Sequence, residues 1–287
     1  MRDICKDGRM PVNEIYRAFS KLGNLWVPEK ITDSTAGGIT LPINIYTTEN
    51  TGIAAFLIAG HHGEETEGPI ALAKSIESIR RLGEIMPVVL LPLMNPVGYA
   101  TDWRYLRQKR WTKKGRGISA NDAEPWLTLE DNGNKAKDDE ISCQESFKVN
   151  NCLISLFEKY KPGVLIDFHG DEKAKGAYIY SHGKYKEQDR IALSLIDLFR
   201  RNNVPIATST RTRWGEEINE NGLVKIIPDG STEDLFAANE LIVNGRRVPG
   251  PSTETVLALE LPYTLSLLKR VDVYRQVIAS LPDLLQL

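Results

Sequence analysis

The sequence predicts an α/β protein: one domain over 1–287, with a mixed, mostly parallel twisted sheet of about eight strands flanked by helices. Three observations carry this expectation. Short runs of β-branched and aliphatic residues alternate with longer amphipathic segments, as strand–helix–strand units do. That order argues for a largely parallel or mixed sheet covered by helices on both faces. The chain also shows no internal repeat, and 287 residues suffice for one large core.

The strand candidates are 41–47 (LPINIYT), 54–59 (AAFLIA), 88–93 (VVLLPL), 163–168 (GVLIDF), 177–181 (AYIYS) and 256–261 (VLALEL). Ile70, Ala73, Ile76, Ile79 and Leu82 recur every three residues and predict a helix over about 68–82, with Pro69 in its first turn. Further helices are expected over 147–160, 187–202 and about 266–286. One region breaks the alternation, roughly 101–146. It opens with Arg104, Arg107, Lys109, Arg110, Lys113, Lys114 and Arg116 and closes on the polar, mostly acidic LEDNGNKAKDDE. It reads as a long excursion from the domain, because core strands continue after it.

Composition narrows the function classes. With 41% hydrophobic and 26% charged residues the chain has the make-up of a packed globular protein. A formal net charge of -2 gives no global attraction to nucleic acid or to an anionic membrane, so neither is an expected partner. The first residues offer no apolar run for a signal-peptide core, and no stretch has the length and apolarity of a membrane span. Cys5, Cys143 and Cys152 are scattered, without a CxxC pair, which suits a reduced, cytoplasmic protein and not a thiolate metal site.

Two of the four histidines stand at telling places. The run 54–59 ends in AGHHGEE, and the run GVLIDF leads directly into His169. In open α/β sheets ligands bind at the carboxyl ends of strands, so two strands each deliver a histidine to such a place. His62 and Glu65 are three residues apart, and one turn of chain can aim both at a common ion; Gly63 between them allows a tight or left-handed backbone. With His169 they form a two-nitrogen, one-carboxylate set that suits zinc and leaves a position open for water. His61 competes with His62 as ligand, although only His62 stands in a His-Gly-x-Glu arrangement. His182 reads as structural. Glu260 interrupts the apolar run VLALEL, where a carboxylate is costly unless paired or functional. Asp167, read as pointing away from His169, is expected to be a structural anchor.

These segments together resemble the zinc carboxypeptidase family. AGHHGEE (59–65) is similar to its HGxE motif, NPVGY (95–99) to its Asn-Pro-Asp-Gly turn with Val97 in place of Asp, and Arg104, Arg107 and Arg110 to its arginine series. IDFHG (166–170) resembles the third-ligand segment, and LALELP (257–262) the strand that carries the catalytic glutamate. All five occur in family order over about 59–262. The resemblance implies one zinc per chain on His62, Glu65 and His169, Glu260 as general base, Arg110 on the oxyanion and Arg107 on substrate. Arg104 is the member of the series most readily taken as part of a solvated basic face.

Two departures bear on the substrate. Family members hold a terminal carboxylate with an Asn-Arg pair, whereas GISANDAEPW (117–126) keeps Asn121 but has Asp122 where the arginine would be. A carboxylate there repels a substrate carboxylate and favours an amine or another donor. The segment DGSTEDLFAANE (229–240) resembles the one that carries the family's substrate-capping tyrosine, but the matching position falls at about Ala237, beside Phe236. The leading expectation is a hydrolase of peptide or amide bonds in a small peptide or acylated amino acid. The alternatives are a deacylase of N-acyl amino acids, like the desuccinylase and aspartoacylase relatives, and a metal-holding protein that binds peptides without turnover.

Overall fold

The computed structural model describes residues 8–104, 144–226, 231–243 and 246–286. The chain opens with helix α1 (Val12–Phe19) and the antiparallel pair β1 (Trp26–Ala36) and β2 (Ile39–Thr48), then runs through β3 (Gly52–Ala59), α2 (Glu67–Ala73), α3 (Ile76–Ile85), β4 (Val88–Leu91) and the short α4 (Pro96–Thr101). After residue 143 come α5 (Gln144–Leu156), β5 (Tyr160–Asp171), β6 (Tyr178–Ser181) and α6 (Arg190–Arg201). Three two-residue strands follow, β7 (Thr210–Arg211), β8 (Glu217–Ile218) and β9 (Leu223–Val224), then α7 (Thr232–Ala237). The hairpin β10 (Glu240–Val243) and β11 (Arg246–Pro249), β12 (Thr255–Pro262) and α8 (Leu267–Leu284) complete it.

Ten strands form one sheet in the order β1-β2-β4-β3-β5-β12-β6-β9-β8-β7. Its four central strands, β4, β3, β5 and β12, are mutually parallel. The strand count exceeds the expected eight because β1 and the short strands β7, β8 and β9 carry little apolar alternation. The six expected strands are all present. β5, however, runs on to Asp171, so that His169 lies within the strand and not beyond it.

Period-two alternation distributes the central side chains between two cores. Leu57, Ile166, Phe168, Leu257 and Leu259 face α2, α6 and α8, in a core that also takes in Ile79, Leu195 and Val277. Ala54, Phe56, Ile58, Leu165 and Val256 face the other way, onto α5 and α7 through Val149, Leu153 and Phe236. Phe56 anchors this second core: its ring meets Phe236 and Phe157 edge-on, with centroids 4.9 and 6.0 Å apart.

The helix expected over 68–82 is broken at Lys74 and Ser75 into α2 and α3. A strict three-residue repeat turns about 60° away from one helical face at each step. One straight helix would therefore carry its apolar stripe off the sheet. The break realigns it, and Ile70, Ala73, Ile76, Ile79 and Leu82 are all buried. Among the described residues, no helix is long and apolar enough to cross a membrane.

Phe56→Ala removes a fully buried ring from the core beneath the site. It is expected to cost about 3–5 kcal/mol, read as a lower urea midpoint at unchanged slope.

Candidate active site

The carboxyl ends of β3, β5 and β12 meet on the α5–α7 side of the sheet. β3 ends at Ala59, and Gly60, with φ of +72°, turns the chain sharply out of the strand. A Cβ on Gly60 would approach Leu93 Cδ1 to 2.9 Å. The following loop carries His61, His62, Glu64 and Glu65, closed by a Glu65 N–H to His62 carbonyl bond of 3.1 Å. Asn95 locks this loop from the side. Its backbone N–H donates to the Gly60 carbonyl at 2.7 Å, its side-chain oxygen caps α4 at Gly98, and its amide nitrogen donates to the Arg104 carbonyl. The Gly63 N–H donates to the same Arg104 carbonyl at 3.1 Å.

Gly63 is required by close approach and not by dihedral freedom. Its φ is not positive, but a Cβ there would lie 2.1 Å from the Gly98 carbonyl carbon and 2.2 Å from the Trp103 oxygen. The NPVGY turn thus packs backbone to backbone against the histidine loop. This contact, and not a left-handed conformation, explains the glycine.

His62, Glu65 and His169 come together. The Nδ1 atoms of His62 and His169 face the two oxygens of the same carboxylate, Oε1 of Glu65 at 2.7 Å and Oε2 at 3.0 Å respectively. The three ligand atoms lie within 4.8 Å of one another, and two of the three residues are buried. Two nitrogens and an oxygen converging in this way fit a zinc-type ion. Burial would raise the Glu65 pKa, but the His62 and His169 imidazoles outweigh it and hold the carboxyl well below its usual range. The Arg104 guanidinium contacts Glu64 Oε1 at 2.9 Å and Glu65 Oε1 at 3.0 Å. Arg104 does not lie on a solvated basic face: its side chain is largely buried against two acids.

Glu260 sits directly opposite His169 in the parallel β5–β12 register. It is partly exposed, and among the described residues its Oε2 has no hydrogen-bond partner. Burial pushes its pKa up to about 8; Glu65 and Asp171 push the same way against His169. Asp171, at the end of β5, accepts from the Tyr178 hydroxyl at 2.8 Å and lies 3.7 Å from Arg213. His182 pairs with Asp234 at 3.0 Å, in keeping with a structural role.

Asp167 corrects the sequence reading. Residues two apart on a strand share a face, and Asp167 points the same way as His169, with Oδ2 3.3 Å from His169 Nε2 and 2.9 Å from His61 Nε2. Glu233, in the first turn of α7, also reaches this corner, 3.7 Å from His169 Nε2. Asp-x-His within a strand was the available signal for Asp167; nothing local to Glu233 marked it. Phe236 is spent on the core and is fully buried. Arg107, Arg110, Asn121 and Asp122 lie outside the described residues.

No family model and no curated protein sequence matches this chain. Solved structures do. A "putative metallopeptidase" from Shewanella baltica OS155 aligns with a TM-score of 0.70 at 20% identity, over 96% of this chain and 90% of that one. A metallo-carboxypeptidase from Burkholderia cenocepacia aligns at 0.60 and 13% identity, over 95% of this chain and 67% of that one. An aspartoacylase family protein from Mesorhizobium loti aligns at 0.50 and 12% identity, over 91% and 68%. The fold is therefore the one these proteins share.

Gly63→Ala drives a methyl group into the Gly98 and Trp103 backbone. It is expected to destabilise the protein by about 3 kcal/mol, read as a lower midpoint of urea denaturation.

Proposed function

We propose that the protein is a zinc-dependent hydrolase of peptide or amide bonds, acting on a small peptide or an acylated amino acid in the manner of a metallocarboxypeptidase. One observation carries the reading: the converging His62, Glu65 and His169 stand beside the raised carboxyl of Glu260, which lies opposite His169 in the sheet. The fold shared with a metallo-carboxypeptidase from Burkholderia cenocepacia supports it.

In this reading His62 and His169, whose Nδ1 atoms face Glu65, would hold zinc with Glu65 as the third ligand. Zinc, when bound, supplies Lewis acidity that lowers the pKa of water towards neutrality and polarises a carbonyl. Glu260 takes the proton from the attacking water and hands it to the leaving amine, so the carboxyl must be ionised at the start of each turnover. Arg104, through its contacts with Glu64 and Glu65, orients the metal-binding carboxylate. In the same reading Arg110 would stabilise the developing oxyanion, Arg107 would bind the substrate, and Asn121 with Asp122 would select it. A deacylase of N-acyl amino acids would use the same ligands and base, so the substrate panel below decides between them.

Glu260→Gln is expected to keep the zinc and lower hydrolysis by roughly 10²–10⁴-fold, the usual worth of a positioned proton carrier. Equal loss of metal and activity would remove Glu260 from the role. Because the base works ionised, kcat/KM should rise with pH along an acid limb. The limb lies below about 8, since a bound cation pulls the Glu260 carboxyl down from that value. On a panel of peptides and acyl-amino acids, Asp122→Arg should gain activity towards peptides with free carboxyl ends. An unchanged profile would take Asp122 out of substrate selection.

A further inference from the structure

Beside the zinc set lies a second group of ligand atoms that the hydrolytic reading leaves unused. His61, Asp167 and His169 are all buried, and His61 Nε2, Asp167 Oδ2 and a ring nitrogen of His169 lie within 4.8 Å of one another. We propose that these three residues form a second divalent-cation seat, sharing His169 with the neighbouring zinc set; only the occupancy of that neighbouring set rests on the hydrolase reading.

The separations are those of ligands around one ion. Asp167 Oδ2 is 2.9 Å from His61 Nε2 and 3.3 Å from His169 Nε2. Metal bonds of about 2.0–2.2 Å at tetrahedral angles place neighbouring ligand atoms roughly 3.3 Å apart. Short contacts between imidazole and carboxylate ordinarily mean hydrogen bonds that orient a histidine. Here the contacts are short but poorly aligned: among the described residues, none of His61 Nε2, His169 Nε2 and the two oxygens of Asp167, all buried, is in good hydrogen-bond geometry. The atoms are close but misaligned, so they converge on a shared point and not on one another. The two rings stack 25° from parallel with centroids 5.5 Å apart, which brings both Nε2 edges to the same side.

Charge points the same way. Asp167 is fully buried, and among the described residues its ion-pair partners are those two histidines. Glu233, also buried, adds a second carboxylate 3.7 Å from His169 Nε2. Buried carboxylates without a cation are costly, and a divalent ion would offset both. Two imidazole nitrogens and a carboxylate oxygen suit zinc or cobalt better than magnesium or calcium. His169 already turns Nδ1 to Glu65, at 3.0 Å, which leaves Nε2 for the second ion. With both ring nitrogens engaged, the ring gives up its remaining proton to solvent. The ion would tie the β3 loop and β5 together and draw Glu233 of α7 against them.

The test is zinc stoichiometry of the full chain, stripped by chelation and titrated with zinc chloride, with bound metal counted after gel filtration. Wild type should take up two zinc ions, His61→Ala one, and His62→Ala one; His61→Asn replaces His61→Ala if the latter fails to fold by circular dichroism. A single zinc in wild type that the His61 variant retains overturns the second seat and spares the hydrolase reading. Two zinc ions in the His61 variant overturn the seat as well. A single zinc that is lost with His61 but kept in His62→Ala upholds the seat and removes the hydrolytic metal set. No zinc at all overturns both.

Discussion

The parallel pairing of β5 with β3 on one side and β12 on the other sets where every group at the site can lie. β5 aligns Phe168 with Ala59 of β3 and His169 with Glu260 of β12. The first pairing delivers the His61–Glu65 loop beside His169, and the second puts a carboxyl opposite the same histidine. A slip of one residue would turn Asp167, His169 and Glu260 to the α8 side and bring Phe168 and Leu259 into the site. Cores on both faces of the sheet, around Phe56 on one side and Leu57 on the other, make such a slip prohibitive. Register thus sets which side chains meet at the site.

The second determinant is a backbone contact. Gly63 and Gly98 pack with no room for a side chain, and Asn95 joins Gly60, Gly98 and Arg104 through three hydrogen bonds. A loop of this length after a strand would otherwise sample many conformations and pay their entropy whenever it gathered a metal. Rigid support spares that cost and fixes the placement of the His62 and Glu65 side chains. It also brings Arg104 over Glu64 and Glu65, where its charge offsets two buried acids.

Carboxylates are concentrated at the carboxyl end of the sheet: Glu65, Asp167, Glu233 and Glu260 all face His169 or its neighbours. Most folds avoid such crowding, because each buried carboxylate raises the cost of the next. Burial, with Glu65 and Asp171 nearby, accordingly raises the Glu260 carboxyl above its ordinary range. Tyr178 and Arg213 relieve part of the crowding by engaging Asp171.

Much of this was legible in the chain itself. Apolar runs marked the six principal strands, since strands covered by helices are mostly apolar. The strand-end positions of His62 and His169 pointed to one crevice, because parallel strands share a carboxyl end. The carboxylate of Glu260 was visible as an interruption in an apolar run. Local pattern could not reveal contacts between distant segments: Asp167 against His61, Glu233 against His169, Arg104 against Glu64 and Glu65, Gly63 against Gly98. It also misjudged Asp167, whose two-residue offset from His169 places both on one face once β5 continues to Asp171. The sequence by itself determined which residues could bind a metal and that they would gather at strand ends, for these follow from residue chemistry and periodicity. Only the tertiary structure decided which atoms converge, because sheet register and backbone packing join residues as far apart as 62, 98, 169 and 233.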